Sequence, residues 1–199
     1  LRRKPAGDHR QFLLDQMPKG GVCAEIGTWK GDFSEKMLRV TQPRELHLID
    51  PWAFQPQFPK RWYGGGGGPQ SQADMDAIYQ SVCVRFSAKP VLNHRQTSME
   101  AVKTFADGFF DWVYIDGDHS YEAVLADLRA WTPKVKRGGF VTGDDYGWRD
   151  ENRSRAFPFL DDSVGKDIVG SPSVYHGPFS AIVDAGFVAG PASRFVSAV

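Results

Sequence analysis

Apolar residues along this chain recur in two patterns that alternate. Short, nearly continuous apolar runs read as buried strands: Val22 to Ile26, Glu45 to Asp50 (ELHLID), Val91 to Arg95, Phe110 to Ile115 (FDWVYI) and Phe140 to Thr142. Between them, apolar residues fall three and four apart, the spacing of one helix face. Phe33, Met37 and Val40 do so in Asp32 to Val40, and Met75, Ile78, Tyr79, Val82 and Phe86 do so in Ser71 to Phe86. Ser98 opens a helix with Ala101, Val102 and Phe105. Ser120 is an N-cap with Glu122 in the first turn, and Tyr121, Val124, Leu125, Leu128 and Trp131 follow as a stripe. Lys134, Lys136 and Arg137 crowd that helix's end, where cations suit the dipole. Asp8 and Gln11 read as a capping box for a short first helix carrying Phe12, Leu13 and Met17, stopped by Pro18 and Gly20-Gly21.

Strand and helix in alternation specify an α/β fold, with a mainly parallel sheet and helices on both faces. The tail from Ser180 reads as a helix through Ala185, then strands around Phe187 and from Phe195 to Val199. Two stretches break the rhythm. Residues 51–70 mix Trp52, Phe54, Phe58, Trp62 and Tyr63 with prolines and the run Gly64 to Gly68, too flexible a composition to hold one shape unaided. Residues 146–160 are similarly aromatic and basic. Both are expected to act as lids or substrate loops.

At 199 residues the chain is expected to be one domain. Its 41% hydrophobic and 24% charged residues argue against a mainly disordered chain. Basic and acidic residues balance at 24 each, so no global field recruits nucleic acid or an anionic membrane. Cys23 and Cys83 have no Cys or His neighbours at zinc-ligand spacing, and a reducing, cytoplasmic setting is the simpler expectation. No apolar stretch reaches the roughly 18 to 20 residues that span a bilayer, and Leu1-Arg2-Arg3-Lys4-Pro5 lacks the apolar segment of a signal peptide.

Candidate chemistry gathers at strand ends, where an open α/β sheet binds its ligands. The first strand runs into Glu25-Ile26-Gly27-Thr28-Trp29-Lys30-Gly31. Gly27 and Gly31 allow close backbone approach to a ligand, and the next helix offers free N–H groups. Glu25 stands where a dinucleotide fingerprint has its first glycine, and a carboxylate there repels a diphosphate. The same carboxylate welcomes an ammonium or sulfonium group, the charge pattern of S-adenosylmethionine. Asp50, ending the second strand, is placed for ribose hydroxyls. Ser98 at the third strand's exit either bonds an adenine or caps its helix. Asp116 follows the fourth strand and Asp144-Asp145 the fifth, so three carboxylates converge in a way that needs a cation. With no cysteine among them, Mg²⁺, Mn²⁺ or Ca²⁺ suits them better than zinc.

The run FDWVYIDGDHSYEAVLADLRAWTPKVKRGGFVTGDDY, Phe110 to Tyr146, closely resembles class I S-adenosylmethionine-dependent methyltransferases of the metal-dependent O-methyltransferase type, and the likeness extends from about Gly20 to Tyr146. The resemblance implies a Rossmann-like seven-stranded sheet, order 3-2-1-4-5-7-6, with the last-placed strand antiparallel. It implies cofactor contacts at Glu25, Gly27, Gly31 and Asp50, and metal ligands at Asp116, Asp144 and Asp145; Thr28, Ser98 and Asp116 are further candidates for cofactor contact. Catechol and caffeoyl-coenzyme A O-methyltransferases carry a lysine three positions after the first metal-binding aspartate, and here that position is His119. A histidine suits a general base at neutral pH, with Asp118 as its competitor.

The expected activity is therefore methyl transfer from S-adenosylmethionine to a hydroxyl of a small-molecule acceptor, assisted by a divalent ion. Two readings compete with it. One is a non-catalytic module holding a nucleoside cofactor; the other is an NAD-dependent oxidoreductase, which Glu25 disfavours. No heptad or exposed apolar helix face declares an oligomeric state, which leaves a homo-oligomer open.

Overall fold

A computed structural model describes residues 9–143 and 194–197. Its elements run α1 (His9–Gln16), β1 (Val22–Ile26), α2 (Asp32–Thr41), β2 (Glu45–Ile49), α3 (Gln72–Arg85), β3 (Val91–His94), α4 (Ser98–Ala101), β4 (Phe110–Ile115), α5 (Tyr121–Trp131), β5 (Val135–Gly143) and β6 (Arg194–Ser197). The first five strands lie in the order 3-2-1-4-5, every neighbouring pair parallel. β1, second in chain position to α1 alone, becomes the middle of this array because all five of its residues are buried and need cover on both faces.

Side chains alternate between two cores. On one face Leu13, Leu14 and Met17 of α1, Phe33 and Met37 of α2, and Met75 and Val82 of α3 pack on Cys23, Leu46, Leu48, Trp112 and Tyr114. On the other, Val102, Phe105, Val124, Leu128 and Trp131 pack on Val22, Ala24, Ile26, Val113 and Val141. At roughly 25 cal/mol per Å² of apolar area removed from water, this double cover is the main favourable term holding the sheet.

Three expectations are corrected. β5 begins at Val135, five residues before the predicted Phe140, and a register shift between Phe110 and Trp112 accommodates the extra length. Lys136 and Arg137 therefore lie in a strand, and the Lys136 ammonium sits 2.6 Å from Asp111 Oδ1 instead of at a helix end. The helix predicted to open at Ser98 is capped by Thr97, whose hydroxyl accepts from Glu100 N while Glu100 answers with a bond from Thr97 N. β6 pairs with β5 in parallel, where the resemblance implied an antiparallel strand at the sheet's far edge. The expected helix at 180–185, the strand near Phe187 and the loop 146–160 lie outside the described residues, so the seven-strand count rests there too.

Residues 51–70 hold a definite backbone, unlike the shapeless stretch their composition suggested. Gln55 N bonds Tyr63 O, Arg61 N bonds Phe58 O, and Gly64 N and Gly66 N both bond Arg61 O. The glycines make this turn tight: a Cβ on Gly64 would lie 2.0 Å from Phe58 O. Among the described residues, no helix is long and apolar enough to cross a membrane.

Candidate functional site

The carboxyl ends of β1, β2 and β4 open on one cavity of about 730 Å³, within the range that holds small-molecule ligands. β1 sits at the switch point, since the chain leaves it for β2 and β3 on one side and returns to β4 and β5 on the other.

Glu25, one residue from the end of β1, is buried and accepts a hydrogen bond from the Ser34 hydroxyl of α2. Burial pushes its carboxyl up to about 8, Asp116 and Asp50 add to the rise, and Ser34 and Arg10 oppose it. It is therefore mostly neutral at pH 7, and a cationic ligand group would draw its proton off. Asp50, just past β2, accepts from Trp29 N at 2.9 Å and from Trp52 N at 2.7 Å. Burial raises its pKa and these two backbone donors hold the rise down. The same bonds tie the β1–α2 turn to the exit of β2.

Gly27 has φ of 93°, and a Cβ there would stand 2.1 Å from the Asp116 carbonyl oxygen. Gly31 has φ of 78° and lies against the Phe86 ring. Both glycines thus serve packing of protein on protein, a demand that their spacing as ligand-approach residues did not reveal. Between them, Thr28 is one of the residues that line the cavity, and its hydroxyl is buried without a hydrogen-bond partner among the described residues. A buried unpaired hydroxyl costs on the order of 1–3 kcal/mol, which a polar ligand atom would relieve.

Across the cavity, Asp116 Oδ2 accepts from Arg10 Nη2 at 3.0 Å, and Asp116 Oδ1 lies 3.6 Å from His119 Nε2. Arg10 is carried by α1, 106 residues away in sequence, with its guanidinium 4.9 Å from the Phe33 ring centre.

A family model described as a methyltransferase domain matches residues 24–146, more than half of the chain. The chain belongs to this methyltransferase-domain family. Among solved structures it is similar to a Corynebacterium glutamicum protein, with TM-score 0.49 and 14% identity over 94% of this chain and 71% of that one. It is also similar to a Bordetella parapertussis protein, with TM-score 0.43 and 16% identity over 66% and 38% of the two chains. A third is the trans-methyltransferase CalH in complex with SAH, with TM-score 0.45 and 14% identity over 67% and 35%. The chain spans well under two thirds of the length of the last two. No curated protein matches it.

Within this methyltransferase domain, Glu25, Gly27, Thr28, Asp50, Ser98, Asp116, Asp118 and His119 all line this cavity. Gly31 stands behind it as the N-terminal cap of α2. Asp118 has structural duties: its Oδ1 accepts from Ser120 N at 2.8 Å, and its Oδ2 accepts from the Tyr63 hydroxyl at 3.4 Å. Burial, then the Asp118 charge, raises the Tyr63 phenol's pKa. The loop 51–70 thereby joins the cavity wall, where Trp62 meets Trp29 edge to face at 6.2 Å.

Arg10, Ser34 and Asp127 escaped the sequence reading. Arg10 sits on a helix whose only motif is a capping box, Ser34 looks like any helical serine, and Asp127 falls on the polar side of a stripe that ends beside the cavity.

Asp144 and Asp145 lie outside the described residues. Among the described residues, no three His, Cys, Asp or Glu side chains cluster so as to hold a metal ion. The described member of the expected trio, Asp116, faces the Arg10 guanidinium at 3.0 Å.

Proposed function

We propose that the protein transfers a methyl group from S-adenosylmethionine to a hydroxyl of a small molecule. The observation that carries this reading is one cavity lined by Glu25, Thr28, Asp50 and the Asp116–His119 pair, with the Thr28 hydroxyl buried and unpartnered among the described residues. Membership of the methyltransferase-domain family supports methyl transfer as the reaction.

Asp50 would accept from ribose hydroxyls, Thr28 would bond a polar atom of the cofactor, and Glu25 would face its cationic end. When bound, the cofactor supplies an electrophilic methyl group on a positively charged sulfur. His119 takes the acceptor's hydroxyl proton. Asp116 Oδ1 stands 3.6 Å from His119 Nε2, and Arg10 faces the second Asp116 oxygen. Trp29, Trp62 and Tyr63 offer an apolar wall that excludes water from the transfer.

The divalent ion implied by the resemblance would be held by Asp116 with Asp144 and Asp145, where it would compete with Arg10 for Asp116. Loss of activity on EDTA treatment, restored by Mg²⁺, is expected if the ion takes part, and undiminished turnover would remove it.

The test is release of S-adenosylhomocysteine from S-adenosylmethionine in the presence of a panel of hydroxylated acceptors. Turnover is expected with one or more alcohols or phenols and not with their methyl ethers. Calorimetric binding of S-adenosylmethionine with no turnover on any acceptor would favour a non-catalytic binding module. Binding of NAD in its place would favour an oxidoreductase.

A further inference from the structure

The acidic side chains that line the cavity are answered within the protein. Glu25, Asp50, Asp116 and Asp118 each accept from a donor, Asp32 pairs with Arg85 at 2.7 Å, and Asp127 accepts from the Ser98 hydroxyl. The cations are not all answered. Of the Lys and Arg residues lining the same cavity, Arg10 is taken by Asp116, whereas Lys30 and Arg61 have no carboxylate within ion-pair distance among the described residues. Two uncompensated cations in a concave site call for an anion.

Both cations sit beside indoles. Lys30 Nζ lies 5.6 Å from the centre of the Trp29 ring, and Arg61 directly precedes Trp62, which meets Trp29 edge to face yet is 64% exposed. Trp29 and Trp62 both line the cavity, so a large ring left uncovered by the protein offers apolar area to a planar ligand. The loop that carries Arg61 also meets the turn that carries His119. The Tyr63 hydroxyl donates to Asp118 Oδ2 at 3.4 Å, and the Arg61 charge acts on the same phenol, opposing the rise in its pKa that burial and Asp118 impose. Arg61 is thereby tied to the part of the cavity where the base takes the acceptor's proton.

We infer that the acceptor is a hydroxylated aromatic carboxylate, with its ring against Trp29 and Trp62 and its carboxylate bound by Arg61 and Lys30. The inference rests on the methyl-transfer reading above and says which hydroxyl compounds that site takes. The guanidinium fork binds both oxygens of a carboxylate side by side, and the ammonium adds a point charge. A single negative charge suits this site better than the near-double charge of a phosphate, because Asp32, Asp116 and Asp118 line the same cavity.

The experiment is calorimetric titration of the protein, saturated with S-adenosylhomocysteine, with 4-hydroxybenzoate, 3,4-dihydroxybenzoate and 4-hydroxycinnamate and with the methyl ester of each at pH 7.5. At least one acid is expected to bind the wild-type protein at least about tenfold more tightly than its ester. The double variant Lys30→Gln, Arg61→Gln is expected to erase that preference by weakening the acid. Esters that bind the wild type as tightly as their acids, or no binding of any of the three acids, overturn the inference while leaving the methyl-transfer reading intact, and need no variant to fold. An unchanged acid-to-ester ratio in a double variant that melts at the wild-type temperature overturns it as well. Weaker S-adenosylhomocysteine binding by the variant, with a wild-type acid-to-ester ratio near one, also overturns it and assigns the two cations to the carboxylate of the cofactor. Failure of S-adenosylhomocysteine to bind the wild type overturns the cofactor reading and this inference together.

Discussion

Replacing Glu25 by Gln separates the stability of this site from its affinity for a cation. Glutamine keeps the shape and can still accept the Ser34 hydroxyl bond, but it cannot ionise. In the folded wild type the Glu25 carboxyl is raised from an ordinary 4.5 to about 8. The folded state therefore holds a proton that the unfolded chain gives up above pH 4.5. This group's contribution to stability is fully present below 4.5 and drains away as pH rises to about 8. Each unit is worth about 1.4 kcal/mol, so the whole window amounts to on the order of 5 kcal/mol. Between pH 5 and 7.5, Glu25→Gln should gain about 3 kcal/mol relative to the wild type. Urea unfolding of both proteins at half-unit pH steps measures the gain. Stability curves that run parallel from pH 5 to pH 8 would refute the reasoning, because they would mean that Glu25 is already ionised and solvated. The stabilised variant should also bind S-adenosylmethionine more weakly, and wild-type binding at pH 7 should release a proton. Calorimetry in buffers of different ionisation enthalpy detects that release.

Gly27→Ala should cost at least ~3 kcal/mol by denaturant midpoint, since it combines a left-handed backbone with a Cβ 2.1 Å from the Asp116 carbonyl oxygen; a loss under 1 kcal/mol would show that the two turns can separate cheaply. His119→Asn should lower kcat about 10²- to 10⁴-fold with little change in cofactor affinity, and near-normal turnover would remove His119 as the base. Asp111 is held below the ordinary carboxylate range: burial alone would raise it, but Lys136 and the Val22 N–H outweigh that. Its contribution to stability is present above the ordinary carboxylate pKa and lost as pH falls through the lower folded value. Asp111→Asn should therefore flatten the acid limb of the stability curve, and an unchanged limb would discount the Lys136 pair.

The strands were legible because a parallel sheet covered on both faces demands unbroken apolar runs, and Val22 to Ile26 and Phe110 to Ile115 have no other use. Their ends were legible for the same reason: a carboxylate following a buried strand, as at Asp50 or Asp116, has to emerge at the ligand edge. β5 was cut short because Lys136, Arg137 and two glycines look like a helix terminus until Asp111 on the neighbouring strand is in place to pair with Lys136. The loop 51–70 misled in a similar way, since glycine composition reports freedom of the isolated chain, whereas backbone bonds to Phe58 and Arg61 remove it.

Local periodicity and strand-end chemistry, both properties of neighbours in sequence, were enough to set the α/β alternation, the glycine turn after β1 and most of the cavity's acidic residues. Long-range contact decided everything else. Arg10 reaches Asp116 across 106 positions, Ser98 joins Asp127 and Trp131 across about thirty, and Gly27 is glycine because another turn's carbonyl passes beside it. Such partners leave no periodic trace in sequence, because packing selects them by where they stand in space.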